Sequence, residues 1–436
     1  MLDLVEGTGV LAANMTPMLL GNAGYYGTLA AVRALGRSGV PVTTADPSLL
    51  APGRYSRFTR SHLKCPPFEQ TDAWARWLMG LDRKGPRPAL YATSDAVSFA
   101  LARYRDVLSE AFRLYQPPLE TMIQILDKGR LLDHARAVGI DTPDTWLPTS
   151  RQDAERIARD IDGTVLVKPR SQLAIKHHIK GAVAGQGAAA ILATYDQFVR
   201  QAAHNTRFAT DYPDAMLPML QRYHPAAMET IYSLTGFRDI SGQHVAMLGA
   251  RKVLQRPRRL GVGLCFEDAP IDPNLTERVL RLCERIGYYG AFEIEFILCG
   301  DKALLIDFNG RFYNQMVFDT ARGLDLPGLV YAATTGNVDR VAQLASVQLA
   351  GGARESMVFC NGFGFEVTMR AQRVFGSMTR EEVQSWREWL RTPGRRIVDA
   401  VRDSSDPLPS TIDIAQQVYQ CLRHPRAFLA QSGMAN

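Results

Sequence analysis

The chain has 436 residues, enough for two or three domains around a large core. Its 46% hydrophobic and 22% charged residues are ordinary for a globular protein; no apolar run is long enough to span a membrane, and a net charge of +6 suits anionic small ligands but is too mild to signal nucleic acid. Six scattered cysteines with no C-x-x-C pair, and a Met1 to Leu20 stretch holding Asp3 and Glu6 without a basic leader, argue for a cytoplasmic protein with reduced thiols and against a zinc site, a disulfide framework or a signal peptide.

Met18 to Thr44 predicts strand, glycine loop, helix to Arg37, then a strand from Val40. The loop Gly21–Gly27 either makes a tight turn that needs glycine freedom or meets a substrate. Asp46 follows the second strand, where a dinucleotide fold keeps its ribose acid, so an NAD-binding domain is a rival reading. The spacing G-x-x-G-x-x-G departs from that fingerprint. Pro88 to Asp95 predicts a buried strand ending in Thr93, Ser94 and Asp95, with a helix from Ala96 to Leu108 behind it. These three residues either face a ligand at the strand end or, for Asp95, cap the helix.

A boundary falls near Pro117-Pro118, and Asp127-Lys128 opens an amphipathic helix closed by Gly139. Thr164-Val-Leu-Val-Lys168 predicts a buried strand carrying a lysine. An unpaired ammonium there is costly, so a phosphate partner or snorkelling from an edge strand must relieve it. Arg170 to Lys180 is basic, with no glycine until Gly181. Met216 to Pro225 is a further strand. Ser241-Gly242 turns a hairpin, Thr230 to Arg238 and His244 to Leu254, ending near Arg251 and Lys252. Arg256, Arg258 and Arg259 extend that basic run, which reads by default as a solvated face. A helix from Asn274 to Ile286 follows.

Gly290 to Gln315 predicts two strands around a turn at Cys299-Gly300-Asp301-Lys302. By alternation Glu293 and Glu295 share a face of the first strand, and Asp307, Asn309 and Arg311 share a face of the second. With the apolar faces turned inward, three carboxylates, an amide and a guanidinium converge. Either they form a solvated acidic face with one ion pair to Arg311, or they recruit a hard cation such as Mg²⁺ through oxygen ligands. From Gly351 to Asn436 the chain reads as helical and loop-rich, without a motif.

The Glu295/Asp307/Asn309/Arg311 set, with Lys168 and Lys128 upstream, resembles the ATP-grasp ligases, and the overall layout is most similar to their carboxylate–amine ligases of the D-aspartate ligase type. The resemblance runs from about Met18 to Val330. It implies an α/β chain with an ATP-grasp fold at 121–335, an N-terminal Rossmann-like domain at 1–120 and a C-terminal appended domain at 336–436. It also implies ATP and Mg²⁺, with Mn²⁺ as a substitute, and roles by position. Glu295, Asp307 and Asn309 would hold metal; Lys128, Lys168 and Arg251 would bind phosphates. Gln221 and Tyr223 would lie along the adenine, and Glu229 would hold the ribose. Lys252 and Arg311 would act on the transferring phosphoryl group. The expected partners are a small carboxylate and an amine, with a homodimer open. The implied reaction joins them through an acyl phosphate and releases ADP; the alternative is a nucleotide-binding protein without turnover. Asp307 stands where the family has Glu, and Gly310 where it has Pro.

Overall fold

The computed structural model describes residues 15–82, 85–175, 181–201, 203–256, 260–349, 356–374 and 378–423. The first strands are β1 (Met18–Gly21), β2 (Val42–Asp46), β3 (Thr59–Lys64), β4 (Ala89–Tyr91) and β5 (Arg113–Leu114). They form a parallel sheet in the order β3-β2-β1-β4-β5. All four β1 residues are buried, as a strand covered on both faces requires. Leu19 and Leu90 face Trp74, Leu78 and Leu101. Met18, Leu20 and Tyr91 face the helix Tyr26–Arg37 and, from much later in the chain, Phe312, Leu326 and Leu329. β2 begins at Val42 and not at Val40, because Pro41 has no N–H to donate to the ladder. The expected helix from Ala96 is two helices, Asp95–Arg103 and Arg105–Ala111. They are broken at Tyr104, whose backbone leaves the helical region and whose hydroxyl donates to Asp72 at 2.7 Å.

A second sheet holds β6 (Thr145–Trp146), β7 (Val165–Lys168), β8 (Ala182–Val183) and β9 (Met219–Arg222), antiparallel in the order β6-β9-β7-β8. Val165, Val167 and Leu220 pack on the helices Arg151–Asp160 and Ala188–Val199. By alternation, Lys168 and Gln221 point to the opposite face.

The third sheet contains β10 (Ile231–Arg238), β11 (Val245–Arg256), β12 (Val262–Ala269), β13 (Gly290–Cys299), β14 (Lys302–Asn309), β15 (Met357–Cys360) and β16 (Arg396–Asp399). Their order is β14-β13-β10-β11-β12-β15-β16, antiparallel except for β15 with β16. The stretch that the sequence sets apart as 336–436 thus adds two strands to the sheet that carries the acidic hairpin. It also reaches the helix Tyr26–Arg37 and the connection before β3: Asp406 accepts from Arg33 Nε at 2.9 Å, Ser56 Oγ at 2.7 Å and Arg57 N at 2.9 Å. Among the described residues no helix is long and apolar enough to cross a membrane.

Candidate active site

The hairpin of β13 and β14 has the predicted turn, and its register sets Glu293 opposite Asn309 and Glu295 opposite Asp307. Ile294 and Phe308 on the other face join the core with Phe292 and Tyr288. The acids, however, do not form a bare cluster. Asp307 is ion-paired to Lys128 Nζ, and Glu295 to Lys252 Nζ. Among the described residues no three His, Cys, Asp or Glu side chains stand ready as a metal cage. What the hairpin presents is an all-oxygen donor set, Glu295, Asp307 and the Asn309 amide, whose negative charge is held by two lysines. By its oxygen donors that set fits a hard cation.

Each lysine is delivered by a different element. Asp127 caps the helix Lys128–Ala137 by accepting from Gly129 N at 2.9 Å, and it binds Arg170 through Nε at 3.0 Å and Nη2 at 2.5 Å. With Asp127 so occupied, Lys128 is the residue aimed at β14. Lys168, on β7, lies 3.4 Å from Gln221 Oε1, and Gln221 Nε2 donates to Thr145 at 2.9 Å. Lys252 reaches Glu295 from β11 across β10. All three lysines are buried. Two buried ammonium groups thus face the strip of carboxylates on β13 and β14, and a third, Lys168, lies buried beside Gln221 on the second sheet.

Arg311 closes the strip. Its Nε donates to Asp95 Oδ1 at 2.5 Å, Nη2 to Asn309 Oδ1 at 2.8 Å and Nη1 to the Phe312 carbonyl at 3.0 Å. Burial, the largest single influence, pulls its pKa down, but the Asp95 charge and hydrogen bond together with Tyr25 and Glu293 outweigh it and hold the guanidinium above the usual arginine range. Asp95 does not cap its helix, since Ser94 accepts from Val97 N at 3.3 Å; nor does Thr93, which donates to Gly21 O at 2.9 Å. Asp95 is the first sheet's contribution to the site, and no local sequence signal connects it with Arg311. Glu293 is a second residue without an assigned role. Burial first, then the neighbouring Glu295 charge, pushes its carboxyl up to about 7. Its parity with Glu295 was the signal that it shares the face.

Three positions lie apart from this strip. Arg251 points to the opposite face of β11 from Lys252 and is ion-paired to Glu267, because neighbouring residues of a strand face opposite ways. Glu229 is exposed after the short 3₁₀ turn Pro225–Met228. Tyr223, half-buried, donates its backbone N–H to Thr164 O at 3.1 Å. Arg258, Arg259 and residues 176–180 of the basic loop are outside the described residues. In the first domain Asp46 accepts from Gly24 N at 3.0 Å and Ser48 N at 2.8 Å, so the carboxylate that suggested a ribose ligand staples the glycine loop. A groove of about 350 Å³ lined by Ile123, Asp127, Arg170, Phe208, Tyr212 and Leu217 includes none of the three lysines. The charged groups, and not this groove, define the candidate site.

No protein-family profile matches the sequence, and no curated protein is significantly similar to it. The fold, in contrast, has clear relatives. The biotin carboxylase domain of the Hydrogenobacter thermophilus 2-oxoglutarate carboxylase, solved with MgADP and bicarbonate, superposes with a TM-score of 0.56 at 15% identity, over 74% of this chain and 70% of that one. N5-carboxyaminoimidazole synthetase from Staphylococcus aureus gives 0.53 at 13% identity, over 73% and 77%. The L-amino acid ligase from Bacillus licheniformis gives 0.52 at 12%, over 74% and 76%. Joined to an acidic hairpin faced by lysines from two other elements, these likenesses establish that the chain has the fold of the ATP-grasp ligases.

Proposed function

We propose that this chain is an ATP-dependent ligase that joins a small carboxylate to an amine through an acyl phosphate, releasing ADP and phosphate. The observation that carries this reading is the pairing of Lys128 with Asp307 and of Lys252 with Glu295, two buried ion pairs side by side on one face of the hairpin. Buried ion pairs are poor stabilisers on their own account, because desolvation offsets their attraction. Two of them on facing elements make sense as groups that exchange partners: the ammonium groups turn to a polyphosphate and the carboxylates to its counter-cation. The structural relatives support ATP as that polyphosphate.

Lys128, Lys168 and Lys252 would hold the phosphates. Gln221 would lie beside the adenine, with the backbone through Tyr223 along the base edge. Glu295, Asp307 and Asn309 would hold Mg²⁺, with Mn²⁺ as a substitute, whose chemistry there is to neutralise phosphate charge. Glu229 and Arg251 keep their proposed ribose and phosphate roles only if the segments carrying them turn toward these groups. In the first half-reaction the substrate carboxylate oxygen attacks the γ-phosphorus and the bond to the ADP oxygen breaks. The protein's task is to align the two and to hold charge, and Arg311 is fixed at the end of the strip to do so. In the second, the amine attacks the acyl carbon and phosphate leaves.

The test is ADP release in the presence of a panel of small carboxylates, with hydroxylamine as the amine; an acyl phosphate is then trapped as a hydroxamate. AMP and pyrophosphate in place of ADP would overturn the mechanism. MgATP binding with no ADP release for any acid would favour a nucleotide-binding protein without turnover.

A further inference from the structure

We propose that Glu293 is a positioning residue that fixes which way round the Asn309 amide faces, and so presents the Asn309 carbonyl oxygen to the cation. This rests on the reading of the site as a metal–nucleotide site. Glu293 is 4% exposed and belongs to the acidic face, yet it differs from its two neighbours. Glu295 and Asp307 are each met by a lysine. Glu293 is met by neutral donors from three elements: Ser233 Oγ of β10 at 3.3 Å, Asn309 Nδ2 of β14 at 3.1 Å, and Gln315 Nε2 beyond β14. Held this way it is poorly placed to exchange partners, and well placed to set the orientation of what it touches.

An asparagine side chain is nearly symmetric in shape, with a donor end and an acceptor end. Nothing steric decides between its two orientations; only the hydrogen-bond partners do. On one side of Asn309 stands Arg311, which can only donate, 2.8 Å from Oδ1. On the other stands the Glu293 oxygen, which accepts from Nδ2. The two neighbours impose the same orientation, and it turns the amide oxygen outward from Glu293. Without the Glu293 acceptor Arg311 alone holds the amide, and every excursion to the flipped form turns its NH₂ toward Arg311 and toward any cation, a repulsive contact. Residues that orient metal ligands in this way typically contribute 10–100-fold to metal affinity.

The experiment uses the full chain. Mn²⁺ is titrated by electron paramagnetic resonance in the presence of ADP, and ADP binding is measured by calorimetry at a series of Mg²⁺ concentrations and in EDTA. Glu293→Gln keeps the size but replaces one of the two acceptor oxygens by an NH₂, so it can no longer accept from both Asn309 and Gln315; it should raise the half-saturating metal concentration roughly tenfold. ADP affinity in EDTA should stay as in the wild type, which a merely structural residue would not guarantee. In an Asn309→Ala background the same substitution should have no further effect on metal binding, because the group it orients is gone. Glu293→Asp withdraws the acceptor while keeping its charge and should shift metal dependence in the same direction, which keeps the test open if Glu293→Gln does not fold. Wild-type metal dependence in either folded variant, or full additivity with Asn309→Ala, overturns the assignment. A wild-type chain that binds neither Mn²⁺ nor ADP would instead sink the nucleotide-site reading, and this assignment with it.

Discussion

At the scale of single residues, the site is a set of charges that neutralise one another in pairs, and each pair makes a distinct prediction. Lys252 and Glu295 have side chains 4% and 11% exposed. Lys252→Met leaves a buried carboxylate without its counter-ion and should cost about 3–5 kcal/mol, read by urea unfolding. Adding Glu295→Gln removes the stranded charge, so the double variant should be more stable than Lys252→Met alone; a double variant that is less stable would show that the pair is not the unit. Arg311 is different because its guanidinium is held at all three nitrogens, by Asp95, Asn309 and Phe312. It is positioned before any substrate arrives. Arg311→Ala should leave MgATP binding largely intact and slow ADP release on the order of 10²–10³-fold, the usual cost of losing one donor where charge develops. Equal loss of nucleotide binding in folded Arg311→Ala and Asp307→Ala would mean that the two roles are misassigned.

At the scale of elements, the hairpin explains one of its own departures from the family pattern. Gly310 stands where proline is usual, and its surroundings show why a bare backbone is needed: a β-carbon there would overlap Ile125 Cδ1 and crowd the Tyr288 ring. Tyr288 is fully buried and donates its hydroxyl to Ala291 O at 2.5 Å, so it has no room to retreat. Gly310→Ala should therefore destabilise the chain by about 1–3 kcal/mol, as overpacking does. Ile125→Val, which removes the closest methyl, should recover part of that in the double variant, measured as thermal midpoints. No recovery would place the strain at Tyr288. A similar fit holds the first domain against the hairpin: a β-carbon on Gly27 would overlap the Tyr313 carbonyl. The end of the glycine loop is thus tied to the residues that follow Arg311, and Gly27 serves a close approach of two backbones.

At the scale of the whole molecule, the chain is closed on itself by its last described segment. Arg33 and Asp406 have side chains 3% and 2% exposed, and Asp406 also accepts from Ser56 and from the backbone of Arg57. This network joins the helix Tyr26–Arg37 and the connection before β3 to the segment that follows β16. Tyr26 donates to Asp413 at 3.1 Å from the same helix that carries Arg33. Asp406→Ala leaves the buried Arg33 guanidinium with only that residue's backbone carbonyl at 2.9 Å and Asp403 at 4.0 Å, and should cost up to about 3 kcal/mol in urea unfolding. Because the break lies between that helix and the C-terminal segment, proteolysis should then cut after β16 before it cuts the hairpin. Unchanged stability in this variant would show that the network is ornamental and that the strands β15 and β16 alone hold the segment.

What the sequence determined by itself is what depends on near neighbours. The period of two placed Glu295, Asp307, Asn309 and Arg311 on one face, and it singled out Lys168 among β-branched residues whose side chains face the other way. The same period also puts Arg251 and Lys252 on opposite faces, although the resemblance assigns both to the phosphates, and only Lys252 meets Glu295. Turn chemistry located the hairpin at Gly300, whose φ is +62°. Tertiary structure alone decided the partners. Lys128 meets Asp307 across 179 positions and Arg311 meets Asp95 across 216. Two strands from beyond residue 356 extend the sheet that a reading of the sequence ends at 335. Local alternation is set by backbone geometry that every strand shares, so a few residues suffice to reveal it. Which carboxylate a lysine reaches depends on strand order and on how the sheets pack, and those are settled only when the whole chain buries its apolar faces together.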